Sequence, residues 1–285
     1  MKKILALALA VLMIAACTLS FASCGKKDEL NFGKEFRALT AQVDVLFQLK
    51  NKSIDVGVMD SVMAGYYMSQ DTTYSEALMI VDGLVLATEQ YGIGCRKGSG
   101  LAKMIDWAMI ELAKDGTVDT IADKYGVKSE ICIDKTATVA DLTDAEKVDW
   151  EYVKGQGKFL LGYTLFAPIA YKDADGKLIG FDIELANAVA AKLELTMEPV
   201  EIEWSAKEAK LESKAIDVIW NGMTITEQRA VQMELTIPYM NNKQVAVIRK
   251  DDKDLYKTTD DMAKAIIGAE DGSAGMDCVI KSDAE

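Results

Sequence analysis

The chain has 285 residues, of which 50% are hydrophobic, and a formal net charge of −13 at pH 7 with no histidine. This length suffices for one or two domains of ordinary size, and an acidic chain without a basic run argues against a nucleic-acid partner. Without histidine, and with cysteine spacings that match no metal motif, we expect neither a metal nor a cofactor.

The beginning of the chain has the pattern of an export signal. Two lysines precede an apolar run over residues 4–22, and small residues then lead to a cysteine, which resembles a bacterial lipoprotein box. We predict a signal peptide over residues 1–23, a lipidated Cys24 and a tether over residues 24–30, which would hold the protein at the outer face of the cell membrane. Cys17 also fits such a box, and the apolar run is long enough for an uncleaved anchor.

Three further cysteines follow at positions 95, 132 and 278. Because three is an odd number, at least one thiol is free. Their disulfide state stays open, although buried or incidental thiols are favoured over a functional disulfide.

The first folded segments are predicted to be a helix, a strand and a helix. Apolar residues at helical spacing predict a helix over residues 35–50, followed by a strand over residues 54–59 and a helix over residues 62–68. Asp60 follows the strand, where it either caps the next helix or receives an ammonium group across a cleft. Further on, β-rich segments and two helices are predicted at residues 77–81, 84–86, 91–95, 101–114 and 118–125.

Residues 127–157 have a looser pattern and are predicted to connect two halves of the molecule. Within them, Thr143 and Glu146 have the spacing of a capping box that begins a short helix. Strands and helices alternate again over residues 159–162, 181–193, 200–202, 207–213, 215–220, 244–249 and 265–269. This alternation predicts an α/β fold with a largely parallel sheet, whose ligands bind beyond the carboxyl ends of the strands.

Residues 220–229 are the strongest candidate for a binding site. An Asn-Gly pair breaks the predicted strand, Thr226 is placed to cap a helix, and Arg229 follows in its first turn. Backbone N–H groups, the hydroxyls of Thr224 and Thr226 and one guanidinium would then converge on an anion, most naturally a carboxylate. The plain alternative is an ordinary strand-to-helix turn with a surface arginine.

Residues 271–275 form a second glycine-rich turn between a predicted strand and helix. By the same reasoning it offers a second half-site for an anion. The sequence ends one helix later, without a strand to complete that unit.

In a rotated order, with residues 158–281 placed before residues 31–126, the chain resembles the polar amino-acid-binding proteins of bacterial ABC importers, solute-binding protein family 3. The matching segments are residues 162–171, 173–186, 222–229, 54–61 and 91–98. The resemblance implies the type II periplasmic-binding fold in circularly permuted form: two lobes, each a mostly parallel sheet flanked by helices, joined by two crossing hinge segments.

The resemblance also implies the boundaries of the lobes. Lobe I would comprise residues 158–249 with 88–126, and lobe II residues 250–285 with 31–87. Residues 127–157 would link the usual termini of the family. The hinges would lie near residues 246–249 and 87–91.

In the family, one set of residues holds the α-carboxylate of a bound amino acid. The arginine and threonine of this set match Arg229 and Thr224. Backbone N–H groups of a turn that matches Ser273 and Ala274 complete it.

A second set in the family holds the rest of the amino acid. Its α-ammonium binds an aspartate that matches Asp60 and a carbonyl that matches Gly222, and aromatic rings that match Phe166 and Trp204 wall the side chain. Binders of cationic amino acids often have an acid in the loop that matches residues 163–166. No acid stands there, which favours a neutral polar or other small ligand.

The resemblance implies an extracytoplasmic, lipid-anchored solute-binding protein, without catalytic residues, that passes an amino acid to the permease of an ABC importer. We expect a monomer, and a swap of residues 31–87 between two copies is the alternative. Two other functions stay open. One is an enzyme resembling cyclohexadienyl dehydratase, with a carboxylate such as Glu203 or Glu227 as its acid or base, and the other is a ligand-sensing module.

Overall fold

The computed structural model describes residues 29–281, so the predicted signal peptide and Cys24 lie outside the described residues. The strands are β1 (Glu35–Leu39), β2 (Val56–Asp60), β3 (Leu78–Arg96), β4 (Lys158–Tyr163), β5 (Tyr171–Lys172), β6 (Leu178–Ile179), β7 (Thr196–Glu201), β8 (Val218–Thr224), β9 (Met233–Leu235), β10 (Met240–Arg249) and β11 (Ile266–Glu270). The helices are α1 (Gln42–Lys50), α2 (Ser61–Gln70), α3 (Thr72–Ser75), α4 (Leu101–Lys114), α5 (Thr117–Tyr125), α6 (Asp144–Gln156), α7 (Phe181–Lys192), α8 (Lys207–Glu212), α9 (Glu227–Gln232) and α10 (Ala274–Val279).

Within residues 29–281, all strands except β5 and β6 form one nine-stranded sheet in the order β1-β11-β2-β10-β3-β8-β4-β7, with β9 beside β3. At one end, β1, β11 and β2 are parallel and form what we call the terminal group. At the other end, β8, β4 and β7 are parallel and form the central group. The long strands β10 and β3 lie between the groups and run antiparallel to their neighbours. The fold is therefore mixed α/β, as the alternation of strands and helices predicts.

The two ends of the described chain build the terminal group together. Strand β1 pairs along its whole length with β11, from Glu35 opposite Ile266 to Leu39 opposite Glu270. Beyond the sheet, the N–H of Asn31 donates to the carbonyl of Val279 at 2.8 Å. Segments more than 200 residues apart in sequence are thus direct neighbours in the fold.

The prediction of one helix over residues 35–50 is wrong for its first part. Residues 35–39 form β1, and the helix begins only at Gln42. The ladder with β11 supplies hydrogen bonds to these residues and overrides their helical spacing. Similarly, the β-rich segments at residues 77–81, 84–86 and 91–95 belong to the single strand β3, which follows β10 with shifts of register.

The segment over residues 127–157 contains a packed helix. The predicted capping box is confirmed: the N–H of Glu146 donates to Thr143 Oγ1 at 3.3 Å, and the N–H of Thr143 donates to Glu146 Oε2 at 2.7 Å. Trp150 and Val153 on α6 are buried in the largest hydrophobic core. This segment therefore contributes to the core as well as connecting its neighbours.

The hydrophobic cores follow the division of the sheet. One core packs around β2, β10 and β11, with Val56, Ile248 and Ile267 fully or almost fully buried. A second packs around β8 and α8, and the largest core extends beneath both groups. Each parallel group thus has apolar packing of its own.

Asp106 on α4 makes the free energy of unfolding depend on pH. Its Oδ1 accepts a hydrogen bond from the N–H of Ile237 at 2.9 Å. Burial raises the pKa of this carboxyl from 3.8 to about 7. Because the folded protein holds the proton more tightly than the unfolded chain, the stabilisation is complete below pH 3.8 and is lost as the pH rises to about 7.

We expect the free energy of unfolding to fall between about pH 5 and about pH 7, with Asp106 contributing at most about 1.4 kcal/mol per pH unit. Asp106→Asn keeps an oxygen that accepts from Ile237 and removes the titration, so its pH slope should be shallower. Urea unfolding across this range measures both slopes. Equal slopes for the variant and the wild type would contradict the role of Asp106.

Candidate functional site

A buried cavity lies where the carboxyl ends of strands from both parallel groups meet. Its volume is ≈ 20 Å³, which leaves room for little more than one water molecule. It is lined by Gln42, Asp60, Thr164, Phe166, Trp204, Asn221, Gly222, Thr224, Arg229, Gln244, Glu270, Ser273 and Ala274. All eight residues that the resemblance assigns to the bound amino acid are in this lining, whereas Thr226, whose hydroxyl the sequence also directed at the anion, is not.

Arg229 supplies a cation to the cavity from the first turn of α9. The helix is capped as the sequence predicts, since the N–H of Arg229 donates to Thr226 Oγ1 at 3.1 Å. The residue is 7% exposed, which excludes the alternative of a surface arginine. A guanidinium has five N–H donors, and the side-chain hydrogen bond recorded within residues 29–281 uses only Nη1, which donates to the carbonyl of Thr224 at 2.7 Å.

Strand β8 does not end at Trp220, contrary to the sequence prediction. Its pairing with β3 is interrupted by a shift of register between Ile219 and Met223, where the Asn-Gly pair lies, and resumes as far as Thr224. Gly222 adopts a φ of +59°, and a Cβ there would lie 2.7 Å from a ring carbon of Phe166. Its N–H donates to Asp182 Oδ2 at 2.9 Å. Glycine is therefore required both for the backbone geometry and for the close approach of the aromatic wall.

Asp60 ends β2 and is 5% exposed. It does not cap the following helix with its side chain. Instead, its carboxylate accepts hydrogen bonds from the side chains of Gln42, Tyr91, Asn242 and Gln244. Burial raises the pKa of Asp60 well above its usual value, Glu89 raises it further, and the bonds from Tyr91 and Gln42 oppose this.

Glu89 on β3 places a second carboxylate next to Asp60. Its Oε2 accepts from Thr224 Oγ1 at 2.8 Å, and its Oε1 accepts from Gln244 Nε2 at 2.8 Å and from Asn242 Nδ2. Two side-chain amides thus donate to both carboxylates at once. The threonine hydroxyl proton is committed to Glu89, so a ligand would have to compete for it.

Lys207 on α8 connects the two sides of the cavity. It is 2% exposed, and its Nζ donates to the carbonyl of Gly272 at 3.1 Å and to that of Trp204 at 3.3 Å. It also forms an ion pair with Glu208 at 3.1 Å and lies 4.8 Å from the centroid of the Trp204 ring. Burial lowers the pKa of Lys207, and the nearby Arg229 lowers it further. The lysine therefore ties the turn before α10 to the tryptophan wall.

The second predicted turn lies on the same cavity as the first. Ser273 is 6% exposed, and its Oγ accepts from the N–H of Met276 at 3.2 Å, which caps α10. Ala274 begins this helix. The two turns come from the central and terminal groups, respectively, so residues far apart in sequence face one small space.

Sequence reasoning missed several polar residues of the lining: Gln42, Thr164, Asn221, Gln244 and Glu270. For Gln244 and Glu270 a weak signal existed. Gln244 is the first residue of the strand predicted over residues 244–249. Glu270 lies between the strand predicted over residues 265–269 and the candidate turn. For Gln42 there was none, since it lies within the helix predicted over residues 35–50. Among residues 29–281, no group of three or more Cys, Asp and Glu side chains is arranged to hold a metal ion.

Residues 162–271 match the family model described as bacterial extracellular solute-binding proteins, family 3. This part of the chain is similar to that family, and it is less than half of the 285 residues. The matched residues contain the turn with Arg229, Gly222 and Thr224 and both aromatic walls, and they extend to the start of the second turn. They comprise most of the central group together with β11 of the terminal group.

Curated relatives match over part of their own length. The chain is 33% identical over 119 residues to the L-cystine-binding protein TcyJ of Escherichia coli (strain K12), which covers 41% of this chain and 44% of that protein. It is 34% identical over 106 residues to the probable amino-acid-binding protein YxeM of Bacillus subtilis (strain 168), which covers 37% of this chain and 39% of that protein. The chain thus spans less than half the length of the curated relatives it matches.

A solved structure also matches this chain over about a third of its length. It is an ABC uptake transporter substrate binding protein from Streptococcus pneumoniae with bound histidine, 35% identical, covering 30% of this chain and 35% of that one with a TM-score of 0.29. The curated relatives TcyJ and YxeM, and ArtP of Bacillus subtilis (strain 168), are named as binding proteins.

Proposed function

We propose that this protein binds a free amino acid in the cavity and delivers it to the membrane permease of an ABC importer. The observation that carries the proposal is the convergence of Arg229 and Asp60 on one buried space from different parallel groups. An amino acid has one anionic and one cationic group on the same carbon. A buried site with a free guanidinium and a carboxylate provides a partner for each.

In this proposal the α-carboxylate binds the guanidinium of Arg229 and the backbone N–H groups of Ser273 and Ala274, with Thr224 as a further donor. The α-ammonium binds Asp60 and the carbonyl of Gly222. Such pairs are strong in a desolvated site, because a buried charge without a partner is costly.

The remaining walls would hold the side chain of the ligand. Phe166 and Trp204 are 4% and 6% exposed and present apolar ring surface to it. The names of the matched relatives include L-cystine and arginine binders. They support an amino acid as the class of ligand and do not select one member.

We also propose that the terminal and central groups are the two lobes of the family fold, in circularly permuted order. The strand order supports this, since both ends of the described chain build the terminal group. β10 and β3 pass between the groups, with hinges near residues 246–249 and 87–91. A cavity of ≈ 20 Å³ is smaller than an amino acid, so the ligand would enter as the lobes separate and would favour their closure.

The proposed lobe boundaries remain those of the sequence. Lobe I is residues 88–126 with 158–249, and lobe II is residues 31–87 with 250–285. Residues 127–157 bridge the two parts of lobe I, and their packed helix α6 supports that place. We propose a monomer.

The proposed location is the outer face of the cell membrane, with Cys24 as the lipidated residue. Family 3 is described as extracellular. None of the helices within residues 29–281 has the length and apolar character to cross a membrane. Mass spectrometry of protein extracted from membranes should find lipid on Cys24, and an unmodified Cys24 would refute the anchor.

Native mass spectrometry of protein purified without denaturation should detect a bound amino acid, and titration calorimetry over the twenty common L-amino acids should identify it. We expect binding at a 1:1 ratio with a dissociation constant of about 1 µM or lower, as two charged pairs in a desolvated cleft support. Absence of binding by every member of the panel would refute the proposed function.

A further inference from the structure

Glu270, the last residue of β11, lines the cavity and is not used by the proposed contacts to the backbone groups of the ligand. It is 4% exposed. Its Oε1 is buried and has no hydrogen-bond partner among residues 29–281. A buried carboxylate oxygen without a donor is unfavourable, so this atom is poised to accept a hydrogen bond from a molecule in the cavity.

The nearby lysine does not satisfy this oxygen. An ammonium group has three N–H donors, and those of Lys207 have three partners in the carbonyls of Trp204 and Gly272 and the carboxylate of Glu208. The charge of Lys207 therefore acts on Glu270 only at a distance, and the hydrogen-bonding capacity of Oε1 remains free.

A second acceptor on the lining is also without a donor. Oε1 of Gln244 is buried and unpaired among the described residues, and its Nε2 donates to Asp60 and Glu89. These two hydrogen bonds fix the orientation of the amide, because the reverse orientation would place the amide oxygen, an acceptor, against the carboxylate oxygens of Asp60 and Glu89. The cavity thus offers two free acceptors beyond the groups proposed for the α-carboxylate and α-ammonium.

The charges near the cavity favour a cation as the remaining ligand group. The proposed α-carboxylate and α-ammonium pair with Arg229 and Asp60. Among residues 29–281, Glu89 beside Asp60 and Glu270 on the lining are further acidic side chains, while the charge of Lys207 is already paired with Glu208. Acidic groups therefore outnumber cations around the cavity. Because burial raises the pKa of Glu270 to about 8, this group holds a proton at neutral pH, and a positively charged ligand side chain would replace that proton and pair with the ionised carboxylate.

We propose that Glu270 is a specificity-determining residue and that the ligand is an α-amino acid with a cationic side chain, which rests on the amino-acid binding proposed above. The ammonium or guanidinium of that side chain donates to Glu270 Oε1. Gln244 Oε1 is the second acceptor within the same lining. The acid that the sequence lacks at residues 163–166 is supplied here from the end of β11.

The environment of Glu270 adds a second measurable property. Burial raises the pKa of Glu270 to about 8, Lys207 on α8 and hydrogen bonds from the side chain and backbone of Gln42 lower it, and Asp44 on α1 raises it. A cation binds the ionised form of Glu270, so binding below this pKa releases a proton. Affinity for a cationic amino acid therefore rises with pH up to about 8, by at most about tenfold per pH unit.

The test compares wild type with Glu270→Gln by titration calorimetry against L-lysine, L-arginine and L-glutamine at about pH 8. Glutamine at position 270 has the shape of glutamate without its charge. We expect the variant to bind lysine or arginine about 100-fold more weakly and to bind L-glutamine within a few-fold of wild type. Glu151→Gln is the matched control, because it makes the same change on α6 at a side chain that is 68% exposed, and it should bind like wild type.

Two further readouts separate the specificity role from a structural one. Wild type should release protons when it binds lysine at about pH 7, measured in buffers of different ionisation enthalpy, and Glu270→Gln should release fewer. If wild type binds L-glutamine and neither cationic amino acid, or if Glu270→Gln binds lysine as wild type does, the inference about Glu270 is overturned while amino-acid binding stands. If wild type binds none of the common amino acids, both proposals fail.

Discussion

Arg229→Ala should abolish amino-acid binding and leave the fold intact. Among residues 29–281, the guanidinium is the one cationic group in the lining of the cavity, and we propose that it forms two parallel bonds with the α-carboxylate. Removal of one partner of a buried charge pair leaves the other charge without compensation. We therefore expect affinity to fall at least about 100-fold for every amino acid that wild type binds.

The fold should tolerate this change because the structural hydrogen bonds of Arg229 are few. Its side chain donates to Thr224, and its N–H, which caps α9, is kept by alanine. Burial also lowers the pKa of Arg229, a sign that the charged form is disfavoured without its ligand. Thermal unfolding of the variant should therefore resemble that of wild type.

A matched control for Arg229→Ala is Arg37→Ala, since Arg37 has a side chain that is 42% exposed and lies on β1. This control should bind amino acids as wild type does. If Arg229→Ala binds with wild-type affinity, the assignment of the carboxylate site is incorrect. If instead the variant fails to fold, Arg229→Lys, which keeps the charge and loses the two-pronged geometry, should fold and still bind more weakly.

Local signals in the sequence predicted the two turns of the site correctly. Thr226 and Ser273 each cap a helix by accepting the N–H of the residue three positions later. This contact depends only on residues adjacent in sequence, so the residue types and their spacing suffice to predict it. The helix over residues 101–114 was predictable for the same reason, because a repeated apolar face indicates a helix packed on a core.

Strand pairing could not be predicted in the same way. The residues of β1 have apolar positions at helical spacing, and they are a strand only because β11 lies beside them. Likewise β8 continues past its Asn-Gly pair because β3 offers hydrogen bonds as far as Thr224. Both outcomes depend on a partner that is distant in sequence, which no local pattern contains.

The polar residues that complete the lining of the cavity could not be identified from the sequence for a related reason. Gln244 and Glu270 are ordinary polar residues of strands until β10 and β11 are placed next to β2. The resemblance to family 3 transferred only positions whose motifs match, and Glu270 was not among them. Site residues that lie outside the matched motifs are therefore recognised only by their burial and missing hydrogen bonds.

Gly180→Ala should lower the free energy of unfolding strongly, and much more than Gly176→Ala. Gly180 precedes α7 with a φ of +134°, and a Cβ there would lie 2.2 Å from the carbonyl oxygen of Ile169. The neighbouring backbone is held in place, because the N–H of Phe181 donates to Pro168 and that of Asp182 to Ile169. The added carbon therefore meets an atom that cannot move away.

We expect Gly180→Ala to lower the free energy of unfolding by roughly 3–5 kcal/mol, from backbone strain together with overpacking. Total stabilities are about 5–15 kcal/mol, so the midpoint of urea unfolding should shift markedly. Gly176→Ala is the matched control: its φ is +79° and no atom lies within 4 Å of the added Cβ. It should lose only about 1–2 kcal/mol, the ordinary penalty of the left-handed conformation.

The effect of Gly180→Ala should extend to the site through Asp182. The carboxylate of Asp182 accepts from the N–H of Gly222 and from Tyr239 Oη, both at 2.9 Å, and so fixes the cavity wall at Gly222. A shift at the start of α7 displaces this carboxylate, so ligand affinity should fall together with stability. Equal unfolding midpoints for the Gly180 and Gly176 variants would show that the backbone around Ile169 yields, and the claimed rigidity of this wall would be wrong.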